Sequence, residues 1–465
     1  MFEALTAYHL IIIFSITIII SYFFNLYAKK SGVPAVLLLI GLGIIINYTL
    51  LLFGFPKPNL LPILEVLGVV GLILIVLEAA LDLHLLKEKL GLIVKSFLVA
   101  LIGLGGTTYL TAFILNYLMG VEVLTAMLYA IPLSILSSAI ILPSIDDLDE
   151  YKREFMIYES TFSDIVGIIG FYSVLTMVGS QTTESVYGEV LGNLAITVVF
   201  SIIISYILIY VFQNIKGHVK LFLLIAILLL LYAVGKMFHL SSLIIILIFG
   251  LSLNNNKLFI KGGFWMILGI LFVATTLFSL LFAVPLMALS LYLIFKRSDL
   301  LKTGLTSVFN FEKVGGILDD FTVITSESAF VVRTFFFIIF GWSVFLGSLL
   351  SFKVIGIGLL ILVIIYSVRV IVLFVFNGRD IIPQLFLAPR GLITILLFFA
   401  IPEELSAGKE FQGVLLFVIL ISCLIMTQSL ISHKNNLAQA ENSEEDDLLN
   451  EDFDIIPAEE NIEEN

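Results

Sequence analysis

The sequence predicts an all-α protein that crosses a membrane many times, and three observations support this fold class. Sixty per cent of the 465 residues are hydrophobic and only 13% are charged, whereas a soluble domain usually has about 25% charged residues. The mean hydropathy is +1.14. The apolar stretches approach the ~20 residues that a helix needs to span hydrocarbon, and they lack the alternating ~10-residue pattern of membrane barrel strands.

Thirteen apolar segments are predicted to form the membrane helices. They lie at 8–28, 33–54, 60–84, 91–118, 122–145, 153–178, 187–213, 219–236, 240–253, 325–348, 353–377, 381–401 and 412–432. A further apolar block lies at 262–295. Basic residues flank this block on both sides, so we expect it to form a hairpin that enters and leaves the membrane on the same side.

The positive-inside rule gives the expected orientation, because basic residues accumulate in cytoplasmic loops. With the N-terminus outside, the outer loops offer only Lys57, Lys353 and Lys409. The inner loops hold many more: Lys29, Lys30, Lys87, Lys89, Lys152, Arg153, Lys216, Lys220, Lys257, Lys261, Arg379 and Lys434. We therefore expect a multi-pass plasma-membrane protein with a cytoplasmic C-terminus, surrounded by lipid.

The net charge of −12 belongs to the C-terminal tail. Residues 441–465 contain twelve Asp or Glu and no Lys or Arg, and the rest of the chain has 24 acids and 24 bases. Such a run is typical of a solvated, disordered segment, which predicts a disordered acidic tail over 434–465 with no identified partner. A neutral membrane body gives no reason to expect a nucleic-acid partner.

Two predicted segments contain helix breakers at membrane depth. One is Ser137-Ser138-Ala139, with Pro132 and Pro143 on either side, and the other is Pro389-Arg390-Gly391. Unwound backbone inside a membrane needs a cavity or an ion to satisfy its polar groups. Interruptions in corresponding segments of two halves are therefore typical of a transporter binding site.

Charged residues inside the predicted segments are the candidates for function, because each costs on the order of 2.5–3.5 kcal/mol to insert. The acids and bases in question are Glu78, Asp82, Glu159, Asp164, Arg333, Arg369 and Arg390. Asp82 lies near the predicted inner membrane surface, so its simplest interpretation is an interfacial charge. Glu159 is expected to pair with a membrane arginine, either Arg369 or Arg333.

The sixth segment combines carboxylates and hydroxyls. Ser160 and Asp164 are four residues apart and share one helix face, and Glu159 and Ser163 share another. These hard oxygen ligands suit a hard cation, and no His or Cys lies nearby to favour a transition metal. Burial favours the protonated carboxyl group, whereas a bound cation favours the ionised group. Competition of H⁺ and a metal ion for Asp164 would produce antiport.

These motifs resemble the monovalent cation:proton antiporter superfamily, most closely its NhaP-like sodium/proton exchanger branch. The similarity extends along the membrane region, at 33–41, 77–82, 240–251, 333–341 and 389–391. The most specific motif is 159–164, where the family reads Glu-Ser-Leu-Leu-Asn-Asp and this chain reads Glu-Ser-Thr-Phe-Ser-Asp.

The resemblance implies roles for individual residues. Asp164 would bind the cation and exchange the proton, with Ser160 as a further ligand and Ser137 and Ser138 of the broken segment beside it. Glu78 matches an acid that helps to form the site in some members. Glu159 would form a structural ion pair with Arg369, with Arg333 as the second candidate, and Arg390 and Ser163 would lie next to the site. No cofactor is implied beyond the transported Na⁺ (or K⁺) and H⁺.

The chain departs from the family pattern at two places. Ser163 replaces the family's Asn, and Ser137-Ser138-Ala139 replaces the usual Thr-Asp-Pro and is closer to the potassium-efflux branch. Na⁺ remains the expected cation, with K⁺ and Li⁺ as alternatives. One carboxylate in a Ser-Asp pair favours one-for-one, electroneutral exchange.

By resemblance, the fold has two inverted repeats of six helices with two crossing broken helices, and the protein is a homodimeric transporter in pH homeostasis rather than an enzyme. An elevator-like core would slide against a scaffold. The expected regions are scaffold 1–86, core 87–180, linker and scaffold 181–257, insertion 258–324, scaffold 325–350, core 351–433 and tail 434–465.

The alternative functions are a Kef-like K⁺ efflux system and a cation channel. No Gly-x-Gly-Asp motif supports an intramembrane aspartyl protease.

Overall fold

The computed structural model describes residues 7–54, 60–145, 148–179, 186–214, 220–237, 242–256, 311–343, 347, 349, 351–405 and 409–453. Within these ranges the regular structure is entirely helical. The predicted all-α fold class is therefore confirmed. The expected hairpin at 262–295 lies outside the described residues.

Fourteen α-helices follow one another along the described parts of the chain. They are α1 (Ala7–Ser31), α2 (Ala35–Leu52), α3 (Leu61–Asp82), α4 (Leu90–Met119), α5 (Val123–Ser134), α6 (Ser138–Ile141), α7 (Glu150–Gly179), α8 (Val186–Asn214), α9 (Lys220–Met237), α10 (Ser242–Asn254), α11 (Phe311–Ser343), α12 (Phe352–Asn377), α13 (Leu392–Phe399) and α14 (Lys409–Phe453). Short 3₁₀ turns lie at Lys87–Lys89, Leu142–Ser144 and Glu403–Leu405.

Each of the thirteen predicted segments contains one of these helices or a broken pair. Among the described residues, nine segments are long and apolar enough to cross a membrane, and shorter apolar helices lie within α8, α9 and α10. The protein is a multi-pass membrane protein. The fifth and twelfth segments are the interrupted ones, as the breakers predict: α5 and α6 are separate helices, and only α13 is helical in 381–401.

Two boundaries differ from the sequence expectation. Helix α11 begins at Phe311 rather than near residue 325, because Val314 and Phe321 lie on one helix face and are buried despite the acids between them. The tail expected to be disordered from residue 434 is instead helical as far as Phe453. Residues 434–453 contain no Gly or Pro and many good helix formers, so α14 continues past its apolar part.

The helices pack as two bundles. The first bundle is built from α1–α3 and α8–α11, in which α11 packs on α2 and α3, and α10 packs on α3 and α8. The second bundle is built from α4–α7 and α12–α14, in which α4 packs on α5, α7 and α12. Contacts between the bundles are sparser and run mainly from α3 and α8 to α7 and α13. The inverted repeat within this arrangement remains a prediction.

Two glycines allow α2 and α11 of the first bundle to touch backbone to backbone. A Cβ at Gly43 would overlap the carbonyl oxygen of Ile338, and a Cβ at Gly341 would overlap the carbonyl oxygen of Ile40. Any other residue at either position would force the two helices apart.

Candidate ion-binding site

The site is built on α7, whose start is well defined. The Asp149 carboxylate accepts a hydrogen bond from the backbone N–H of Lys152, at 2.9 Å, which satisfies an otherwise unpaired donor of the first turn. Two faces of α7 then bring Glu159, Ser163 and Asp164 into the interior, where these residues are 2%, 1% and 2% exposed. The helix therefore places two carboxylates at membrane depth.

The first break separates α5 from α6. Pro132 lies inside α5, and Ile135 has the extended backbone that ends the helix. The freed donors find new acceptors: Leu136 N–H donates to Ser163 Oγ at 3.0 Å, and Ser137 N–H donates to the Pro389 carbonyl at 3.0 Å. The unwound backbone is thus held by α7 on one side and by the second break on the other.

The second break crosses the first one closely. The Arg390 guanidinium donates from Nε to the Leu133 carbonyl at 2.6 Å and from Nη1 to the Ala388 carbonyl at 3.1 Å. Its backbone N–H donates to Ser422 Oγ on α14. A Cβ at Gly391 would overlap Ser137 Oγ, so only glycine allows this approach. Arg390 therefore joins the end of α5, next to the first break, to the second break.

Asp164 faces the first break and is only partly satisfied. Its Oδ2 accepts a short hydrogen bond from Ser138 Oγ and a longer one from Ser138 N–H at 3.4 Å. Its Oδ1 is buried and has no hydrogen-bond partner among the described residues. An unpaired buried carboxylate oxygen is costly, so this atom is available to a proton or a cation.

Glu159 is fully paired. Arg369 Nη1 donates to Glu159 Oε1 at 2.6 Å and Nη2 donates to Oε2 at 3.1 Å. Arg369 also donates to the Gln384 carbonyl ahead of the second break, at 2.8 Å from Nη2. The resemblance implies Arg369 as the first partner of Glu159, and the structure shows these two residues forming a bidentate ion pair.

Arg333, the second candidate partner of Glu159, pairs elsewhere. Its Nη1 donates to Glu78 Oε2 at 2.9 Å, between α11 and α3. Both residues line a cavity of about 340 Å³ between the bundles, together with Asp82, Ser138 and the start of α2. We name this cavity the vestibule. Glu78 therefore shares a cavity with Ser138, but its charge is balanced by Arg333.

Not every expected ligand points at Asp164. The hydroxyl of Ser160 donates to the Met156 carbonyl at 2.7 Å, which is the usual bond of a serine inside a helix. Ser137 contacts the second break through its backbone, and the side chain that reaches Asp164 belongs to Ser138. The hydrogen bond from the Leu136 N–H to Ser163 Oγ was not predicted from the sequence. Residue spacing within one helix does not indicate which backbone segment lies opposite.

On its other side, Asp164 meets an apolar wall. A cavity of only about 10 Å³ lies between α7 and the first bundle, with Asp164 as its sole charged lining residue among those described. The wall is made by side chains of α3 and α10 in the first bundle: Ile75, Val76, Ala79, Leu243, Ile244 and Leu247. Asp164 itself does not line the vestibule, but Ser138, which holds its Oδ2, does.

The comparisons with known proteins agree with this geometry. A family described as "Sodium/hydrogen exchanger, transmembrane" matches residues 13–296. The chain belongs to the sodium/hydrogen exchanger family. Its general activity is therefore cation/proton antiport, and the resemblance drawn from the motifs is confirmed. No curated protein sequence matches the chain significantly.

Solved structures show the same fold. The sodium proton antiporter MjNhaP1 from Methanocaldococcus jannaschii, determined at pH 8, is 18% identical with a TM-score of 0.60, and the match covers 91% of this chain and 98% of that one. An electron-microscopy structure of MjNhaP1 gives 17% identity and a TM-score of 0.61, covering 94% and 98%. At this identity, the likeness establishes the shared fold of these exchangers.

Proposed function

We propose that this exchanger carries one Na⁺ in exchange for one H⁺, with both ions bound in turn at Asp164. The observation that supports this proposal most strongly is the buried Asp164 carboxylate. One of its oxygens is held by Ser138, and the other has no partner among the described residues. A Na⁺ ion would be bound there by carboxylate and hydroxyl oxygens, which are hard ligands.

The balance of buried charges favours electroneutral exchange. Glu159 and Asp164 are the buried carboxylates of the described residues, and Glu159 is already neutralised by Arg369. One carboxylate then remains to take either one proton or one monovalent cation. The net charge of the loaded site is the same in both cases, so neither half of the cycle moves more charge than the other.

An elevator-like movement of the second bundle against the first would give alternating access. The vestibule opens beside the ends of α1 and α3, which the charge rule assigns to the cytoplasm. The apolar wall on the other side opposes passage of an ionised carboxylate, since a bare charge is costly in such surroundings. A proton or Na⁺ on Asp164 removes that charge and permits movement, which prevents an empty crossing.

The wider context of the transporter follows from the same proposal. It would act as a homodimer in the plasma membrane, surrounded by lipid, with the α14 extension and the tail in the cytoplasm. Net export of Na⁺ against H⁺ would contribute to pH homeostasis.

The test is dissipation of a pH gradient in proteoliposomes on addition of Na⁺, K⁺ or Li⁺. Wild type should respond most strongly to Na⁺, and Asp164→Asn should lose exchange almost completely. The matched control is Asp320→Asn, because Asp320 is an exposed carboxylate on α11.

Three outcomes would contradict parts of the proposal. Unchanged exchange in Asp164→Asn would remove Asp164 from the mechanism. A stronger response to K⁺ would favour the K⁺ efflux alternative, which the Ser137-Ser138-Ala139 sequence supports. Cation flux without proton movement would indicate a channel.

A further inference from the structure

A second polar cavity lies inside the second bundle, away from the vestibule. It has a volume of about 30 Å³ and is lined by residues of α4, α5, α7, α12 and both breaks. Its polar lining includes Glu159, Ser163, Arg369 and Arg390. The cavity therefore separates the Glu159–Arg369 pair from the Arg390 guanidinium.

Arg390 brings unused hydrogen-bond donors to this cavity. Its side chain is 2% exposed, and its only side-chain acceptors among the described residues are the Leu133 and Ala388 carbonyls. A guanidinium has five N–H donors, and buried donors are nearly always paired. No carboxylate of the described chain lies within ion-pair distance of Arg390. Only Nε and Nη1 make hydrogen bonds to described residues, which leaves Nη2 free to donate to a ligand in the cavity.

Ser163 leaves the space for such a partner. Its Oγ accepts the Leu136 N–H, and no described residue accepts its hydroxyl hydrogen. The side chain is shorter than the Asn that the motif comparison places at this position. A longer side chain would extend towards the Glu159 and Arg390 side of the helix and fill part of the cavity.

The volume and the lining together identify the ligand. A water molecule needs about 10–15 Å³ of such space, occupies about 30 Å³ in the liquid, and requires two to four polar partners. We propose that one or two ordered water molecules occupy this cavity and hydrogen-bond Arg390 to the Glu159–Arg369 pair and to Ser163. The water accepts from the guanidinium and donates to the Glu159 carboxylate.

This hydration site would make the two breaks and the ion pair one connected network. Arg390 joins the end of α5 to the second break, Arg369 holds Glu159 and the Gln384 carbonyl, and the water closes the gap between them. The network belongs to the second bundle alone, so it would travel with that bundle as a unit. It also gives Ser163 a positioning role that does not require contact with the transported cation.

The deciding experiment is a crystal structure of the full-length protein at a resolution that shows ordered water, from crystals grown with bromide. Density within hydrogen-bond distance of both Arg390 Nη2 and a Glu159 oxygen, without an anomalous bromide signal, is the expected result. An empty cavity would overturn the proposal. An anomalous bromide peak would overturn it too, since the ligand would then be an anion.

Two matched glycine variants test the same idea in solution. Gly103 lines the cavity and Gly105 faces outward from the same helix, and a Cβ at either position meets no atom within 4 Å. Gly103→Ala should displace water and lower the melting temperature by at least about 2 °C relative to Gly105→Ala. An equal or higher melting temperature for Gly103→Ala would mean that the methyl group fills a dry cavity. Cation/proton exchange need not be measured, so failure here is independent of the transport proposal.

Discussion

Glu159 and Asp164 lie on the same helix and are equally buried, yet their surroundings differ completely. Both oxygens of Glu159 are held by Arg369. Asp164 has no basic partner within ion-pair distance in the described chain, and its Oδ1 has no hydrogen bond. The comparison teaches that burial alone does not distinguish a structural acid from a transport acid. What distinguishes them is whether the protein itself supplies the counter-charge.

The largest expected effect is on stability, and it should be seen at Glu159 but not at Asp164. Removing one partner of a buried ion pair costs about 3–5 kcal/mol, so Glu159→Gln should lower the melting temperature strongly. Asp164→Asn removes a buried and unpaired charge, so its melting temperature should be at least that of wild type. Thermal unfolding in detergent measures both, and equal destabilisation by the two variants would break the comparison.

The next effect concerns the hydroxyl that supports Asp164. Ser138→Ala removes the hydrogen bond to Oδ2, and a bond to a charged group contributes about 1.5–3 kcal/mol. We expect at least a ten-fold rise in the half-saturating Na⁺ concentration, equivalent to about 1.4 kcal/mol. Ser160→Ala is the control, because that hydroxyl bonds only to its own helix. A larger effect at Ser160 would reverse their assigned roles.

The ion pair in the vestibule offers an intermediate case. Glu78 and Arg333 are 15% and 22% exposed, so breaking this partly buried pair should destabilise the protein less than breaking the fully buried Glu159–Arg369 pair. Arg333→Gln would leave Glu78 as a free carboxylate in the vestibule and lower the half-saturating Na⁺ concentration by about three- to five-fold at low salt. The effect should shrink at high ionic strength. The exposed Arg379→Gln serves as the control, and an equal change there would count against the assignment.

The smallest expected effect is at Ser163, which contacts the first break and not the Asp164 carboxylate. Ser163→Asn keeps an oxygen acceptor for Leu136 and adds an amide. We expect the ratio of Na⁺ to K⁺ activity to change by about two- to three-fold, with folding retained. Ser173→Asn on the same helix should leave this ratio unchanged, because Ser173 bonds only to its own helix. Loss of folded protein in Ser163→Asn would contradict this expectation.

Much of the fold could be predicted because a membrane helix requires a long apolar segment, which is visible in the sequence. The breaks at 135–137 and 387–391 were also foreseeable, since Pro and Arg inside apolar runs demand special packing. Two helix ends were not. Hydropathy alone assigns the acidic start of α11 and the polar end of α14 to a loop and a tail. Their helical continuation depends on helix propensity and on burial of one face.

The site was only partly predictable for a different reason. Periodicity placed Ser160 and Asp164 on one face, but which hydroxyl turns towards the carboxylate depends on the opposing backbone. Ser138 lies next to Asp164 because the two broken segments cross there. Arg333 pairs with Glu78 because α11 packs on α3. Such choices are made by tertiary contacts between helices far apart in the chain.

The glycine contact between α2 and α11 has a mechanical consequence. Where two helices meet backbone to backbone, no side chain can be compressed or change rotamer between them, so the joint is stiff. In the proposed elevator-like movement, the first bundle would then be the rigid partner against which the second bundle moves. A single methyl group at Gly43 or Gly341 would push α2 and α11 apart. If the movement is as proposed, turnover should then fall while cation affinity stays intact.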